Sequence, residues 1–174
     1  MTKILETERL ILRTWTYQDA QALFEICRNA EVMLHIGDRK SYESVEKAKE
    51  FLNWAIPYQL KNGFCRWAVV EKLTGKIIGS CGFARREMEE IELGYLFARE
   101  AWGKGFATEA ASACLNYGLN NLGFESVVAL TDIEHIKSQR VLKKIGFTRR
   151  GVEEYLTGEE DLVFVATNHS KTER

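Results

Sequence analysis

The chain has 174 residues, the length of one domain, and its 45% hydrophobic and 11% aromatic content is enough to build a core. Twenty-four basic and 25 acidic residues leave a formal charge of -1, so no global field recruits nucleic acid or an anionic membrane. Its widely spaced cysteines, with no CxxC pair and no clustered histidines, argue against a metal site and against a disulfide framework. They favour reduced thiols in the cytoplasm.

The beginning of the chain carries charges where a secretory signal would be apolar, and no run approaches the length needed to span a bilayer. We expect a single domain over residues 1–167 and a loose tail over residues 168–174. The hydrophobic patterns predict these elements in chain order: a strand at 8–15, a helix from 20 to about 29, a helix from 44 that is kinked or ended by Pro57, a strand hairpin at 66–72 and 76–85, a strand at 91–98, a helix ending at 122–124, a strand at 126–131, a helix at 138–147, and a hairpin at 148–155 and 162–167.

The most informative segment is residues 91–111, IELGYLFAREAWGKGFATEAA, which reads as a strand, a glycine-punctuated loop and a helix start. Gly103 and Gly105 permit a tight turn and close approach of the backbone to a ligand. The free amides of the first helical turn, together with Lys104, favour a pyrophosphate. A dinucleotide fingerprint would need a glycine at Thr108, and a Walker loop would need Lys followed by Ser or Thr, so neither fits. An ordinary connection shaped by two glycines is the alternative.

A second segment, residues 138–147 with the sequence SQRVLKKIGF, is a short basic amphipathic helix. Together with ETERLILRTW at 6–15 and ELGYLFAREAWGKGFATEA at 92–110, it resembles the GNAT acyl-CoA-dependent N-acetyltransferases, in the branch similar to ribosomal-protein N-terminal acetyltransferases. The resemblance covers roughly residues 5–167. It implies an α/β (α+β) fold: a mixed, mostly antiparallel twisted sheet of about seven strands flanked by four helices.

The resemblance also implies acetyl-CoA as co-substrate, without a metal. The strand at 91–98 should splay from the strand at 126–131, and the coenzyme should enter that opening. The residues expected to contact the coenzyme are Leu96, Phe97, Ala98, Trp102, Gly103, Lys104, Gly105, Phe106, Ala107, Thr108, His135 and Ser138.

Acetyl transfer to an amine needs a proton acceptor, because only the free base attacks a thioester. Glu92 is the predicted base, since it is an acid inside an otherwise apolar strand, where burial favours an altered proton affinity. The resemblance favours the same residue. A structural ion pair with Arg85 or Arg86 is the alternative role, and Glu90 is the competing base.

Ser138 is the predicted donor to the leaving thiolate, with capping of a helix start as its alternative role. Many relatives place a tyrosine four residues later, where this chain has Leu142. His135 stands where the family usually has asparagine, and Glu100 stands where many members have glutamine or arginine. His35 lies in a loop where the family builds part of its acceptor cleft.

The predicted function is acetyl transfer from acetyl-CoA to a primary amine, either a protein N-terminal α-amine or a small-molecule amine, by direct attack in a ternary complex. The alternative is a noncatalytic acetyl-CoA sensor, which would have no use for a poised base such as Glu92. A plain Rossmann binder is disfavoured by the glycine pattern and the antiparallel hairpins. We expect no direct nucleic-acid partner, no membrane partner, and a monomer or homodimer.

Overall fold

The computed structural model describes residues 1–86, 89–154, 158 and 160–168, and these form an α/β fold with one open sheet. The strands are β1 (Lys3–Glu6), β2 (Leu10–Arg13), β3 (Arg66–Glu71), β4 (Ile77–Arg85), β5 (Ile91–Phe97), β6 (Ser126–Asp132), β7 (Thr148–Glu154) and β8 (Glu160–Thr167). The helices are α1 (Ala20–Cys27), α2 (Ala30–Met33), α3 (Val45–Asn62), α4 (Phe106–Asn120) and α5 (Ile136–Lys144).

The strand order is β1-β2-β3-β4-β5-β6-β8-β7, and every neighbouring pair is antiparallel except β5 and β6. The predicted fold class is therefore confirmed, although the described residues hold eight strands and five helices instead of about seven and four. The extra strand arises because the chain reverses at Thr7, whose amide donates to the Leu10 carbonyl at 2.9 Å. The single strand predicted at 8–15 is thus wrong at its beginning. The extra helix, α2, starts where Asn29 Oδ1 accepts from the Glu31 amide at 2.9 Å.

Helix α3 continues through Pro57, where the sequence predicted a kink or an end. Pro57 and Asn53 are both exposed, so solvent satisfies the Asn53 carbonyl that loses its helical partner. The helix ends instead at Gly63, which has a φ of 79° and donates its amide to the Gln59 carbonyl at 2.9 Å.

The later elements follow the predicted order with shifted ends. Helix α4 ends at Asn120, before the predicted 122–124, and α5 begins at Ile136, two residues before the predicted Ser138. Of the predicted tail, the structure describes Asn168, whose side chain donates to the Leu119 carbonyl at 2.9 Å; the rest lies outside the described residues. Within the described ranges, no helix combines the length and apolarity needed to cross a membrane.

The two faces of the sheet carry different helices. Trp67 of β3 has its ring 6.0 Å from that of Tyr117 on α4, whereas its neighbour Arg66 lines a cavity together with Leu23 of α1. Because successive residues of a strand point to opposite faces, α1 and α4 cover opposite sides. Trp67 is fully buried at the centre of the apolar core.

Strands β5 and β6 separate along most of their length. Their pairing is confined to Glu92 and Val128, near the beginning of β5. Beyond that pair the two strands no longer hydrogen-bond to each other as a ladder, so the predicted splay is confirmed. The opening positions the site described next.

Candidate active site

The glycine-punctuated loop joins β5 to α4, as predicted. Gly103 and Gly105 have φ values of 75° and 81°, which side-chain-bearing residues rarely adopt. Gly105 immediately precedes α4, so the amides of the first helical turn point out of the helix without internal partners. A Cβ placed on Gly103 would meet no atom within 4 Å, so the loop is open at this point.

A groove of about 420 Å³ runs between this loop, the end of β5 and the beginning of α5. Ala98 and Lys104 do not line it: Ala98 is buried with its amide donating to the Ile78 carbonyl at 2.9 Å, and Lys104 is exposed. The other ten of the twelve predicted coenzyme residues do line it: Leu96, Phe97, Trp102, Gly103, Gly105, Phe106, Ala107, Thr108, His135 and Ser138. The structure therefore brings together nearly the whole predicted set, while their contacts with a ligand stay a prediction.

Two basic residues of α5 supply positive charge to the groove. Lys137 and Arg140 line it, and Lys137 Nζ lies 5.2 Å from the centre of the Trp102 ring. The sequence analysis missed Lys137, although its place next to Ser138 would have been a usable signal. A cation here favours an anionic ligand close to the free amides of α4.

The turn between β1 and β2 stabilises the loop through hydrogen bonds and an ion pair. Arg9 Nη1 donates to the Lys104 carbonyl at 2.8 Å, and Arg9 Nη2 lies 2.6 Å from Glu109 Oε2. The Thr7 hydroxyl donates to Glu109 Oε1 at 2.6 Å. These contacts join the segment 6–15 to the loop, about 95 residues farther along the chain. They explain why both segments belong to the set that carries the family resemblance.

A second cavity, of about 290 Å³, occupies the opening between β5 and β6. Its apolar wall includes Leu23 and Phe51, and its polar wall includes Arg66 and Glu92. This second cavity and the groove share five lining residues: Ile36, Tyr95, Leu96, His135 and Ser138. The two spaces therefore meet at the end of β5.

Ser138 lies at that meeting point and is buried. Its hydroxyl oxygen is 2.9 Å from the hydroxyl of Tyr95 on β5. Burial raises the pKa of Tyr95, so the phenol stays protonated and keeps a proton to donate. The sequence analysis missed Tyr95, because strand alternation placed it on the face opposite Glu92 and no sequence signal linked it to residue 138.

Glu92 lines the second cavity and is buried, as predicted, but it has two guanidinium partners. Arg66 Nη2 donates to Glu92 Oε1 at 2.6 Å, and Arg86 Nε lies 3.5 Å from Oε2. Of the two partners considered from the sequence, Arg86 is therefore present, while Arg66 on β3 was missed. The competing base, Glu90, lies outside both cavities and pairs with Arg86 and Arg150.

Three buried polar atoms of the second cavity lack a hydrogen-bond partner among the described residues. They are Arg66 Nε, Ser80 Oγ and Thr131 Oγ1. Buried polar groups are nearly always hydrogen-bonded, because an unpaired group loses its solvation without compensation. A polar ligand in this cavity would find a donor and two hydroxyls available.

His35 and Asp132 form a further polar pair at this cavity. His35 Nδ1 lies 2.8 Å from Asp132 Oδ2, and the same oxygen lies 2.9 Å from Arg39 Nη2. Burial alone would raise the pKa of Asp132, but hydrogen bonds from the Glu134 amide and from His35 outweigh it and lower the pKa. The pair joins residues 97 positions apart, which is why the sequence did not reveal it.

His135 stacks on His35, with ring centres 4.3 Å apart and planes inclined by 16°. Burial, with a smaller contribution from the neighbouring His35, lowers the pKa of His135 to about 4. At neutral pH its imidazole is therefore uncharged, as the asparagine usual at this position would be.

Comparison with known proteins places this site in a family. Residues 9–148 match the acetyltransferase (GNAT) domain. YoaA of Bacillus subtilis (strain 168), an uncharacterized N-acetyltransferase, is 38% identical over 87% of this chain and 86% of its own length. The chain therefore belongs to the GNAT acetyltransferase family. It is an acyltransferase, and its co-substrate is acetyl-CoA.

Solved structures agree on the fold. The ribosomal-protein-S5-alanine acetyltransferase from Vibrio fischeri superimposes with a TM-score of 0.79 at 22% identity, covering 95% of this chain and 96% of its own. RimL, the ribosomal L7/L12 α-N-protein acetyltransferase in complex with coenzyme A, gives a TM-score of 0.83 at 15% identity, covering 95% and 98%. The groove beside Gly103 and Gly105 suits the coenzyme, since it offers open amides at a helix start and the cations Lys137 and Arg140.

Proposed function

We propose that this acetyltransferase moves the acetyl group directly from acetyl-CoA to a primary amine while both substrates are bound. The observation that carries the proposal is the meeting of the groove and the second cavity at Tyr95, Leu96, His135 and Ser138. A donor in the groove and an amine in the second cavity would come into contact there, so neither needs a covalent carrier on the protein.

The reaction follows from the groups at this junction. The amine nitrogen attacks the thioester carbonyl carbon, the carbon–sulfur bond breaks, and the amide forms. The coenzyme leaves as a thiolate that needs a proton, and the Ser138 and Tyr95 hydroxyls lie at the junction to supply it. The second cavity, which holds the acceptor in this scheme, would be superfluous in a protein that only senses acetyl-CoA.

The acceptor is proposed to be a protein N-terminal α-amine or a small-molecule amine. The named activities of the two ribosomal-protein acetyltransferases favour the α-amine, whereas a cavity of about 290 Å³ holds either a terminal residue or a small amine. Four buried free cysteines, Cys27, Cys65, Cys81 and Cys114, support the reducing cytoplasmic location.

The experiment is release of coenzyme thiol from acetyl-CoA against a panel of N-terminal peptides, polyamines and other small amines, with mass spectrometry of the products. Initial rates with both substrates varied should give intersecting double-reciprocal lines, as direct transfer requires. Parallel lines would indicate an acetylated protein intermediate and overturn the direct route. Tight coenzyme binding without transfer to any amine would overturn the enzyme proposal.

A further inference from the structure

The ring of His35 is oriented by a carboxylate inside the second cavity. Its Nδ1 lies 2.8 Å from Asp132 Oδ2, and the ring is largely buried. Because an ionised carboxylate only accepts hydrogen bonds, this contact places the ring proton on Nδ1. The lone pair of the neutral imidazole is then on Nε2, the nitrogen that remains for a ligand in the cavity that His35 lines.

The carboxylate is itself held in place. Asp132 Oδ1 accepts from the Glu134 amide at 2.8 Å, and Oδ2 also lies 2.9 Å from Arg39 Nη2. The titratable and charged groups that contact the His35 ring or line its cavity come from several elements: Cys27 of α1, Asp38, Arg39 and Tyr42 of the loop between α2 and α3, Arg66 of β3, Glu92 and Tyr95 of β5, Asp132 of β6, His135 before α5, and Asp161 of β8. Acidic groups outnumber cations in this set even when Arg86, which faces Glu92 from outside the cavity, is included, and that balance favours an ammonium ion as ligand.

Two other proton acceptors of the second cavity, Glu92 and His135, are occupied or unsuited. Both oxygens of Glu92 face guanidinium groups, so a proton on either oxygen would break an ion pair with Arg66 or Arg86. His135 has no carboxylate partner of its own among the residues that the structure describes, and its stacked position leaves it desolvated beside His35. His35, by contrast, combines a lone pair, an orienting carboxylate and a place in the second cavity.

We propose that His35, oriented by Asp132, is the base that takes a proton from the acceptor ammonium. This inference rests on the proposed function and adds the group that starts the reaction. Nε2 of His35 removes one proton from R–NH₃⁺, and Asp132 stabilises the imidazolium through the Nδ1 proton. The free amine forms the new carbon–nitrogen bond, and the second nitrogen proton passes to the departing thiolate by way of the Ser138 and Tyr95 hydroxyls. His35 returns its proton to solvent, so the net products are amide, coenzyme thiol and one proton.

The first experiment measures kcat/KM against pH for the wild type, His35→Gln and Asp132→Asn with an acceptor found in the panel. The wild type should lose activity as the pH falls, because protonation of Nε2 removes the base. This acid limb should stay at the same pH for two acceptors whose ammonium groups differ in acidity, because it belongs to the protein. His35→Gln should abolish the limb and lower kcat by about 10²- to 10⁴-fold. Asp132→Asn should move the limb to lower pH, because the imidazolium loses its carboxylate.

Chemical rescue separates a base from a structural residue. Added imidazole should restore part of the activity of His35→Ala, since it supplies the missing proton acceptor in the space that the ring leaves. Ser138→Ala, which is defective at a different step, is the matched control and should not respond to imidazole. Coenzyme affinity measured by calorimetry should be retained in His35→Gln, in His35→Ala and in Asp132→Asn.

The outcomes distinguish a failure of the His35 assignment from a failure of the proposed function. A His35→Gln protein within about 3-fold of wild-type kcat, with the acid limb intact, would overturn the assignment to His35 while leaving acetyl transfer established. An active wild type whose acid limb moves with the acceptor would do the same. If His35→Gln fails to fold, the pH profile of Asp132→Asn provides the test. A shifted acid limb supports the His35–Asp132 pair, and an unchanged acid limb overturns it. A wild type that acetylates no amine overturns the proposed function itself.

Discussion

The hydroxyl of Tyr95 lies 2.9 Å from the hydroxyl oxygen of Ser138, and this contact links β5 to α5 where the two cavities meet. The family resemblance places a tyrosine on the helix at position 142, which in this chain is a buried leucine. Tyr95 brings a phenol to the same neighbourhood from the sheet instead. Because burial raises the pKa of Tyr95, the pair retains a proton that it would donate to the thiolate in the proposed reaction.

Ser138→Ala and Tyr95→Phe should each lower kcat more than coenzyme affinity, since a contact with the sulfur strengthens only as negative charge develops. We expect about 10²-fold for Ser138→Ala, at the lower end of the usual contribution of a positioned proton donor. The double variant should lose less than the product of the two single losses, because the hydroxyls act as one unit. Steady-state kinetics and calorimetry measure both quantities, with the exposed Ser126→Ala as control. A loss confined to coenzyme binding would make Ser138 a structural residue.

Replacing Gly103 with valine should abolish acetyl-CoA binding, because a β-branched residue resists the φ of 75° and would obstruct the close approach of the coenzyme to the backbone. Gly75, in the turn between β3 and β4, is a matched control: it has a φ of 68° and, like Gly103, would place a Cβ with nothing within 4 Å. Gly75→Val should therefore lose similar stability in thermal unfolding but still bind the coenzyme. Unchanged affinity of Gly103→Val in calorimetry would remove the loop from the binding site.

The Glu92→Gln variant tests whether Glu92 is the base predicted from the sequence or the ion-pair partner of its two arginines. We expect coenzyme binding to survive, KM for the acceptor to rise because Arg66 loses its charged partner, and the acid limb to stay in place. If Glu92 is the base, the loss should instead be about 10²- to 10⁴-fold in kcat at neutral pH. Raising the pH would then recover part of it, because more of the acceptor is already deprotonated. The pH profile of the variant decides between these two roles.

The Arg13–Asp19 pair predicts a pH-dependent part of the stability away from the site. Arg13 donates to both oxygens of Asp19 at 2.8 Å, and both side chains are largely buried. Burial alone would raise the pKa of Asp19, but the hydrogen bonds from Arg13 and Thr16 outweigh it and lower the pKa below 3.8. The contribution is therefore fully present above the unfolded pKa, about 3.9, and is lost as pH falls through the lower folded value.

Asp19→Asn should lower the free energy of unfolding by about 3 kcal/mol at neutral pH, because it leaves Arg13 buried without its charged partner. The difference from wild type should shrink as the pH is lowered in urea titrations. Glu25→Gln, at the exposed Glu25–Arg28 pair, is the control and should change the free energy of unfolding by less than about 1 kcal/mol. A pH-independent difference for Asp19→Asn would contradict the ion-pair explanation.

Local patterns predicted much of this fold. The hairpin of β3 and β4 and the unit from β5 through the glycine loop into α4 lie close to their predicted places, because alternation, helical spacing and glycine act over a few residues. The missed features near the beginning of the chain are also local: the reversal at Thr7 and the cap at Asn29 depend on single hydrogen bonds that periodicity does not register. At Pro57 the local pattern predicted a kink or an end that does not occur, since an exposed position lets a helix tolerate a residue that usually ends it.

By itself the sequence determined the fold class, through the family resemblance of its motifs. It also determined the glycine-punctuated loop and two candidate polar side chains, Glu92 and Ser138, because strand alternation and motif spacing are carried by neighbouring residues. The tertiary structure decided the partners of those side chains: Arg66 for Glu92 and Tyr95 for Ser138. It also brought His35 to Asp132 across 97 positions. Such contacts depend on how separate elements pack and on where β5 parts from β6, and no pattern within one element encodes that geometry.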